Sequence, residues 1–198
     1  MRTFLFSIVF LLGFFPSYTQ MLDSIKNSFT YKPVFLIKLD ARNSFVSSFP
    51  VKLKGIKVGL NFNNTTKIGI GYSWMSSNFQ SIFNSDTVDF SMNNVSVFIE
   101  YNFYHTDKIY ADIPVHIGVA KLIYNKEDLI LANAYALVYE PAMTVEYRFL
   151  RFFGIGVGAG YRLVLYDHKQ INEKLSSPIY IFRFKVYFGD IYKKHFKK

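Results

Sequence analysis

The sequence predicts an all-β protein, an eight-stranded antiparallel up-and-down transmembrane β-barrel, and three observations support this fold class. Within residues 152–166, apolar side chains occupy every second position, and Gly154, Gly156, Gly158 and Gly160 lie between them. A strand points successive side chains to opposite faces, so one face of this segment is apolar. The composition, 51% hydrophobic and 19% aromatic, is heavy for a soluble domain. After the N-terminal apolar run, no segment is long enough for a membrane helix, which leaves a closed barrel as the membrane fold.

Residues 1–19 have the pattern of a secretory signal peptide. Arg2 precedes an apolar run over 4–15, and a small-residue site at 17–19 follows it. We expect cleavage near Thr19, and an uncleaved N-terminal anchor is the alternative. The signal peptide implies secretion through the inner membrane.

The remainder is predicted to be one domain with short extensions. A leader over 20–32 precedes the barrel domain at 33–189, and a basic tail follows at 190–198. The chain has no cysteine, so disulfides, thiolate metal sites and cysteine nucleophiles are excluded. Stability must therefore come from burial and backbone hydrogen bonds.

Eight segments have the length and alternation of tilted membrane strands. They are residues 33–42, 51–62, 66–75, 94–104, 108–120, 134–148, 152–166 and 178–189. The connections between them alternate strictly between short and long. The short ones are 63–65, 105–107 and 149–151, and the long ones are 43–50, 76–93, 121–133 and 167–177. Short turns on one rim and longer loops on the other are typical of membrane barrels.

Charge decides which face of each strand points outward. One face carries formal charges and the opposite face carries none, so the uncharged face is expected to meet lipid. The polar faces, which include Lys52, Lys54 and Lys57, would then fill the lumen with paired charges. The predicted lumen charge network is Lys38, Asp40, Arg42, Glu100, Asp112, His116, Glu140, Glu146, Arg162, Arg183 and Lys185. A soluble lipocalin-like barrel, with its apolar face inward around a ligand, is the alternative.

Aromatic residues cluster at both ends of the predicted strands. Their positions predict two girdles at the headgroup levels, at Trp74, Tyr135 and Tyr180 on the loop side and at Tyr147, Phe153 and Phe188 on the turn side. The alternative is that these residues are simply good strand formers.

Two details of register also follow from the sequence. In the second strand, Val51 and Leu53 are out of phase with the apolar residues after Gly55, which predicts a β-bulge at Gly55. Counting along the strands from the connections places Glu140 and Lys185 near Gly160, where they are expected to pair.

The closing segment 177–188 carries a resemblance to a known family. It alternates apolar residues and ends on an aromatic, Phe188. With the rest of the pattern, the chain resembles the small eight-stranded outer-membrane β-barrel proteins of Gram-negative bacteria, including their porin-like barrel domains. The resemblance implies an outer-membrane location, outer-membrane lipids as partners, and insertion machinery that recognises the final aromatic. Here residues 189–198 follow Phe188, which departs from the family pattern.

Eight strands leave an interior only wide enough for side chains, so free diffusion of solutes is not expected. Function is therefore predicted to reside in the loops, in a structural or adhesin-like role. The predicted loop 76–93 is the best candidate for contact with an extracellular protein or surface ligand, through Phe79, Phe83, Asp86 and Phe90.

Signals for chemistry are weak. The alternative of an outer-membrane lipid-modifying enzyme needs a nucleophile beside a base, and His116 faces the predicted lumen near Asp112 without a serine on its strand. No catalytic residue, cofactor or metal site is predicted, since no two histidines have ligand spacing. The net charge is +9, but a secreted membrane protein is not expected to bind nucleic acid.

Overall fold

The computed structural model describes residues 15–83, 86–126, 129–150, 152–167 and 174–186. One helix, α1 (Phe15–Ser28), precedes nine strands. The strands are β1 (Val34–Val46), β2 (Phe49–Phe62), β3 (Thr66–Met75), β4 (Phe79–Phe83), β5 (Asp86–His105), β6 (Ile109–Lys126), β7 (Leu129–Leu150), β8 (Phe153–Asp167) and β9 (Ser177–Val186).

Eight of these strands close into a ring. All pairings are antiparallel. Neighbouring strands pair in chain order from β1 to β3 and from β5 to β9. Strand β9 pairs with β1, and β3 pairs with β5, which completes the circle. The short strand β4 stays outside the ring, because it pairs with the first residues of β5 in a hairpin that continues the line of β3. The predicted eight-stranded antiparallel up-and-down barrel is confirmed. A closed ring leaves no unpaired edge within the membrane.

The strands extend further toward the loop rim than predicted, and the strict alternation of short and long connections is wrong. The predicted connection 43–50 is a turn at Ser47 and Ser48, which have φ of 47° and 73° between β1 and β2. The predicted loop 76–93 contains β4 and the first part of β5, and most of 121–133 belongs to β6 and β7. Inward apolar side chains beyond the membrane pack on one another there, so the ladders continue.

The predicted bulge at Gly55 is wrong. The β1–β2 register runs without interruption from Val46↔Phe49 to Val34↔Asn61, so Val51, Leu53 and Lys57 all point inward. The change of phase in the sequence therefore marks a change in the chemistry of the interior, from apolar to charged, and the backbone stays regular. Register shifts occur instead between Asn102 and Tyr104, Tyr124 and Asn125, Leu137 and Val138, and Arg148 and Leu150.

The loop end of the barrel contains an apolar core, which we call the end cluster. Its members are Val46, Val51, Leu53, Phe79, Val88, Phe90, Met92, Ala120, Leu122, Tyr124, Ala134, Ala136, Val138 and Leu175. The ring of Phe90 contacts those of Phe79 and Tyr124 edge to face, with centroids 5.6 Å and 5.3 Å away. Packed side chains therefore fill the interior at this end.

Helix α1 lies against the opposite, turn end. The Ser28 hydroxyl donates a hydrogen bond to Thr66 Oγ1 at 2.8 Å, and Phe29 packs edge-on against Phe62 at 4.9 Å. The helix crosses the boundary between the predicted signal peptide and leader. Within the described residues, no helix is both long and apolar enough to cross a membrane.

The end cluster generates a test of stability. Leu122 is fully buried, so Leu122→Ala is expected to lower the free energy of unfolding by about 2–5 kcal/mol through lost burial and a cavity. Ile123→Ala, on the outward side of the same strand, is the matched control and should cost less than about 1 kcal/mol. Urea unfolding in lipid vesicles measures both. Equal losses for the two variants would show that the loop end has no packed core.

Candidate functional site

The outward surface of the barrel is a belt without formal charge, which we call the membrane band. It consists of the outward residues within 35–41, 56–60, 68–74, 95–103, 109–119, 135–147, 155–165 and 180–184. At about 3.3 Å per residue and a tilt of about 40°, the segment from Ile109 to Val119 spans roughly 25 Å. This height matches the hydrocarbon core of an outer membrane. The apolar faces point outward, so the soluble lipocalin-like alternative is wrong.

The predicted loop-side aromatics lie where the membrane band ends. Each is the cross-strand neighbour of an outward polar or charged residue: Trp74 of Lys54, Tyr135 of Lys121, and Tyr180 of Asn43. This is the boundary position that interfacial aromatic residues favour.

At the turn end, Tyr147 is exposed beside Ile109, and Phe153 stacks on Phe184 with ring centroids 5.7 Å apart. Phe188, the predicted final aromatic, lies outside the described residues, as does the basic tail 190–198.

Charged side chains fill the lumen inside the membrane band. Among the described residues, seven cationic and five anionic side chains are buried there, and we call them the lumen network. They are Lys38, Arg42, Lys57, Lys67, Arg162, Arg183 and Lys185, with Asp40, Glu100, Asp112, Glu140 and Glu146. Lys52 and Lys54 do not belong to this network, because in the regular β2 register their side chains point outward and are exposed.

Asp40 lies at the centre of the lumen network. Its carboxylate accepts from Arg183 Nε at 3.1 Å and from Arg42 Nη2 at 3.3 Å, and it also pairs with Lys57. Arg183 reaches further, to Glu100 at 3.5 Å and to the Thr144 hydroxyl at 3.2 Å. One carboxylate thus links β1, β2 and β9 from inside.

Toward the turn end, Glu146 is the shared acceptor. Lys185 Nζ donates to Glu146 at 2.7 Å and Lys38 Nζ donates to it at 3.3 Å, while Lys38 also pairs with Glu100. Lys67 pairs with Asp112. The contacts between Lys38, Glu100 and Glu146 cross the lumen and connect β1, β5 and β7.

Toward the loop end, Glu140 holds two guanidinium groups. Arg162 Nε donates to it at 2.7 Å, and Arg42 Nη1 donates to its other oxygen. The expected pair of Glu140 with Lys185 is wrong. The β8–β9 register places Lys185 beside Gly154 rather than beside Gly160, so Lys185 lies at the turn end, where Glu146 accepts from it.

His116 is buried in the lumen without the contacts of a catalytic base. Among the described residues, neither ring nitrogen has a hydrogen-bond partner, and the neighbouring ring is Phe98 at 6.0 Å. Asp112, its expected companion, is held by Lys67 and accepts from Asn102 Nδ2 at 3.0 Å. The described residues contain no group of three side chains suited to a metal ion.

The expected contact residues of 76–93 are not displayed as predicted. Phe79 and Phe90 are 9% and 2% exposed, because they belong to the end cluster. Phe83 and Asp86 pair at the tip of the β4–β5 hairpin, and their side chains lie outside the described part. Among the described residues, a run of exposed apolar side chains lies instead at the start of β7, at the loop end. Leu129, Ile130 and Leu131 are 69%, 61% and 46% exposed there.

The sequence reasoning missed two parts of the interior. Lys67 was detectable, because it is in phase with Gly69, Gly71 and Ser73 on the inward face of β3. The sequence sign of the end cluster is the apolar pair Val51 and Leu53, which occupies the positions that carry charge later in the strand. This pattern is compatible both with a bulge and with an apolar interior, so it does not distinguish the two.

The pairing of Glu140 can be tested with a double-mutant cycle. Glu140→Gln is expected to lower the free energy of unfolding by about 3–5 kcal/mol, because two buried guanidinium groups lose their shared carboxylate. Arg162→Met in the same background should recover part of this loss. Unfolding in lipid vesicles, followed by the fluorescence of Trp74, the single tryptophan, gives all four values.

Asp89→Asn is the matched control for this cycle. Its carboxylate is exposed on the outward side of β5, so the change should stay within about 0.5 kcal/mol. Simple additivity of the Glu140 and Arg162 effects would contradict the pairing.

Comparisons with known proteins agree with this architecture. No family model matches the chain, and no curated protein matches it. Among solved structures, Neisserial surface protein A is similar at a TM-score of 0.63 and 13% identity, over 77% of this chain and 96% of that one. The N-terminal β-barrel domain of OprF from Pseudomonas aeruginosa gives a TM-score of 0.53 at 9% identity, over 78% and 98% of the two chains.

The attachment invasion locus protein Ail of Yersinia pestis, in complex with the heparin analogue sucrose octasulfate, gives a TM-score of 0.51 at 13% identity, over 78% of this chain and 98% of that one. At such identities the likeness concerns the fold. Together with the closed eight-stranded ring, the uncharged membrane band and the charge-filled lumen, it shows that this chain has the fold of the small eight-stranded outer-membrane β-barrels.

Proposed function

We propose that this protein is an integral outer-membrane protein that interacts with an extracellular protein through its loop end, without catalysis and without conducting solutes. The observation that carries the proposal is the extension of β5, β6 and β7 beyond the membrane band, which ends in the exposed Leu129, Ile130 and Leu131. A solvent-facing run of large apolar residues is a feature of protein-binding sites.

The packing of the extension supports a binding role. The inward side chains of the extension form the end cluster. Its backbone is held by the β5–β6 ladder, which begins at Asp89↔Asn125. A preorganised surface loses less conformational entropy on binding than a flexible loop. The apolar tip therefore stands on a packed base.

Support for the location comes from the fold and from the sequence. The barrels with similar structures are outer-membrane proteins, and the predicted signal peptide 1–19 would direct the chain across the inner membrane. Insertion machinery would then act on the closing strand, and outer-membrane lipids would surround the membrane band. The start of β1, the end of β9 and helix α1 are at the turn end, and they would lie on the periplasmic side.

The nature of the partner follows from the chemistry of the tip. Ail is known in complex with a heparin analogue, a highly sulfated molecule. The tip of β7 is uncharged over 129–136, which fits an apolar patch on a protein better than a sulfated polysaccharide. We therefore propose a protein surface as the partner of this chain.

The proposed interaction is tested by adhesion. A non-adherent laboratory bacterium that displays the barrel is applied to immobilised collagen, fibronectin and laminin, and bound cells are counted. The triple variant L129S/I130S/L131S should reduce binding several-fold, because three exposed apolar anchors are removed.

Asp107→Asn, at an exposed position on the opposite rim, is the control and should bind like the parent protein. Surface display and heat-modifiable migration are checked for each variant. Binding no better than that of cells without the barrel, on every protein of the panel, would overturn the adhesive role.

The proposed absence of conduction gives a separate prediction. The lumen is filled by the lumen network and covered by the end cluster, with Phe90 and Leu122 buried across it. Purified barrel in a planar lipid bilayer is therefore expected to show no stepwise openings. Reproducible channel steps that scale with salt concentration would show that a water-filled path exists.

A further inference from the structure

A groove of about 360 Å³ lies on the outward surface where β9, β1, β2 and β3 adjoin. Its floor is Ala41, a small residue whose cross-strand neighbours are Phe182 on β9 and Lys54 on β2. The walls are larger side chains, Leu39, Ile56 and Phe184 among them. The groove exists because one small residue stands among bulky ones on a surface that faces hydrocarbon.

The walls of this groove are apolar, but its loop-side rim is cationic. Lys54 is the first charged outward residue of β2 beyond the membrane band, and it lies beside Trp74 at the boundary. Lys52 follows on the same outward face, about 7 Å along the strand. Both side chains are exposed, and neither makes an ion pair with the described residues.

The two lysines indicate what kind of lipid headgroup fits. Two adjacent ammonium groups suit a headgroup with exposed phosphate and no cation of its own. A zwitterionic headgroup brings its own cation, which two neighbouring lysines would repel. An acyl chain of the same molecule would lie over Ala41.

We propose that this groove is a binding site for phosphorylated lipid A, with an acyl chain over Ala41 and a phosphate held by Lys52 and Lys54. The choice of lipid A as the phosphorylated lipid rests on the proposed outer-membrane orientation, in which the loop end faces the outer leaflet. The binding measurement below uses purified protein, so it can fail or succeed independently of the adhesion assay.

A second groove on the same surface provides an internal comparison. It has a volume of about 520 Å³, and its lining, with Phe35, Leu60, Ile70 and Val97, contains no charged residue. It can accept an acyl chain but has no group in its lining to recognise a phosphate. Headgroup preference is therefore expected to come from the first groove.

The test is lipid binding to the full mature chain in detergent, followed by native mass spectrometry. The probes are diphosphoryl lipid A and phosphatidylcholine at equal concentrations. Lipid A is expected to bind about 25-fold more tightly, and K52A/K54A should remove that preference, since each lysine near a charged headgroup contributes roughly fivefold in affinity. Ala41→Phe, which fills the groove, should weaken lipid A binding to a similar extent.

Lys121→Ala is the matched control, because Lys121 is also an outward lysine beyond the membrane band but lies on β6. It should leave lipid A binding unchanged. Ala41→Leu is a milder filling variant, and heat-modifiable migration verifies that every variant is folded.

Three results of the binding measurement would overturn the proposal. They are equal binding of the two lipids, an effect of Lys121→Ala as large as that of K52A/K54A, and full lipid A binding by both folded Ala41 variants. A dimer whose formation excludes lipid from the groove would also overturn it, because the occupant would then be a second copy of the chain.

Discussion

The structure depends on one constraint: charges enclosed by eight strands and surrounded by hydrocarbon must be paired with one another. Asp40, Glu140 and Glu146 each accept from two or more cationic side chains that come from different strands. Because successive side chains of a strand point to opposite faces, a slip of one residue would turn the charged face of a strand toward lipid and break these contacts. The ion pairs and the uncharged outer surface therefore enforce the same register.

The same alternation of inward and outward residues continues beyond the membrane with different chemistry. Inside the membrane band the interior is charged, and at the loop end it becomes the end cluster around Phe90 and Leu122. At the turn end, α1 contacts the barrel through the hydrogen bond from Ser28 to Thr66. Side chains fill the described interior, and both proposals therefore concern outward residues.

Those surfaces differ in what they offer to a partner. The tip at 129–131 is apolar and faces solvent, which favours contact with a protein. The groove over Ala41 is apolar where it faces hydrocarbon and is flanked by two lysines where the band ends, which favours a lipid with phosphate. The two sites lie on different strands, so one chain can use both together.

The sequence by itself determined the fold class, the strand number and the outward face, because period-two alternation and the segregation of charge are local properties that need no knowledge of partners. It also identified most of the lumen network. Only the tertiary structure decided which charges pair, since pairing depends on register and on contacts across the lumen: Glu140 meets Arg42 and Arg162, and Lys185 meets Glu146. It also decided that Phe79 and Phe90 are buried. Aromatic residues between two strands are compatible with either a loop or a core, and only the positions of the surrounding strands distinguish the two.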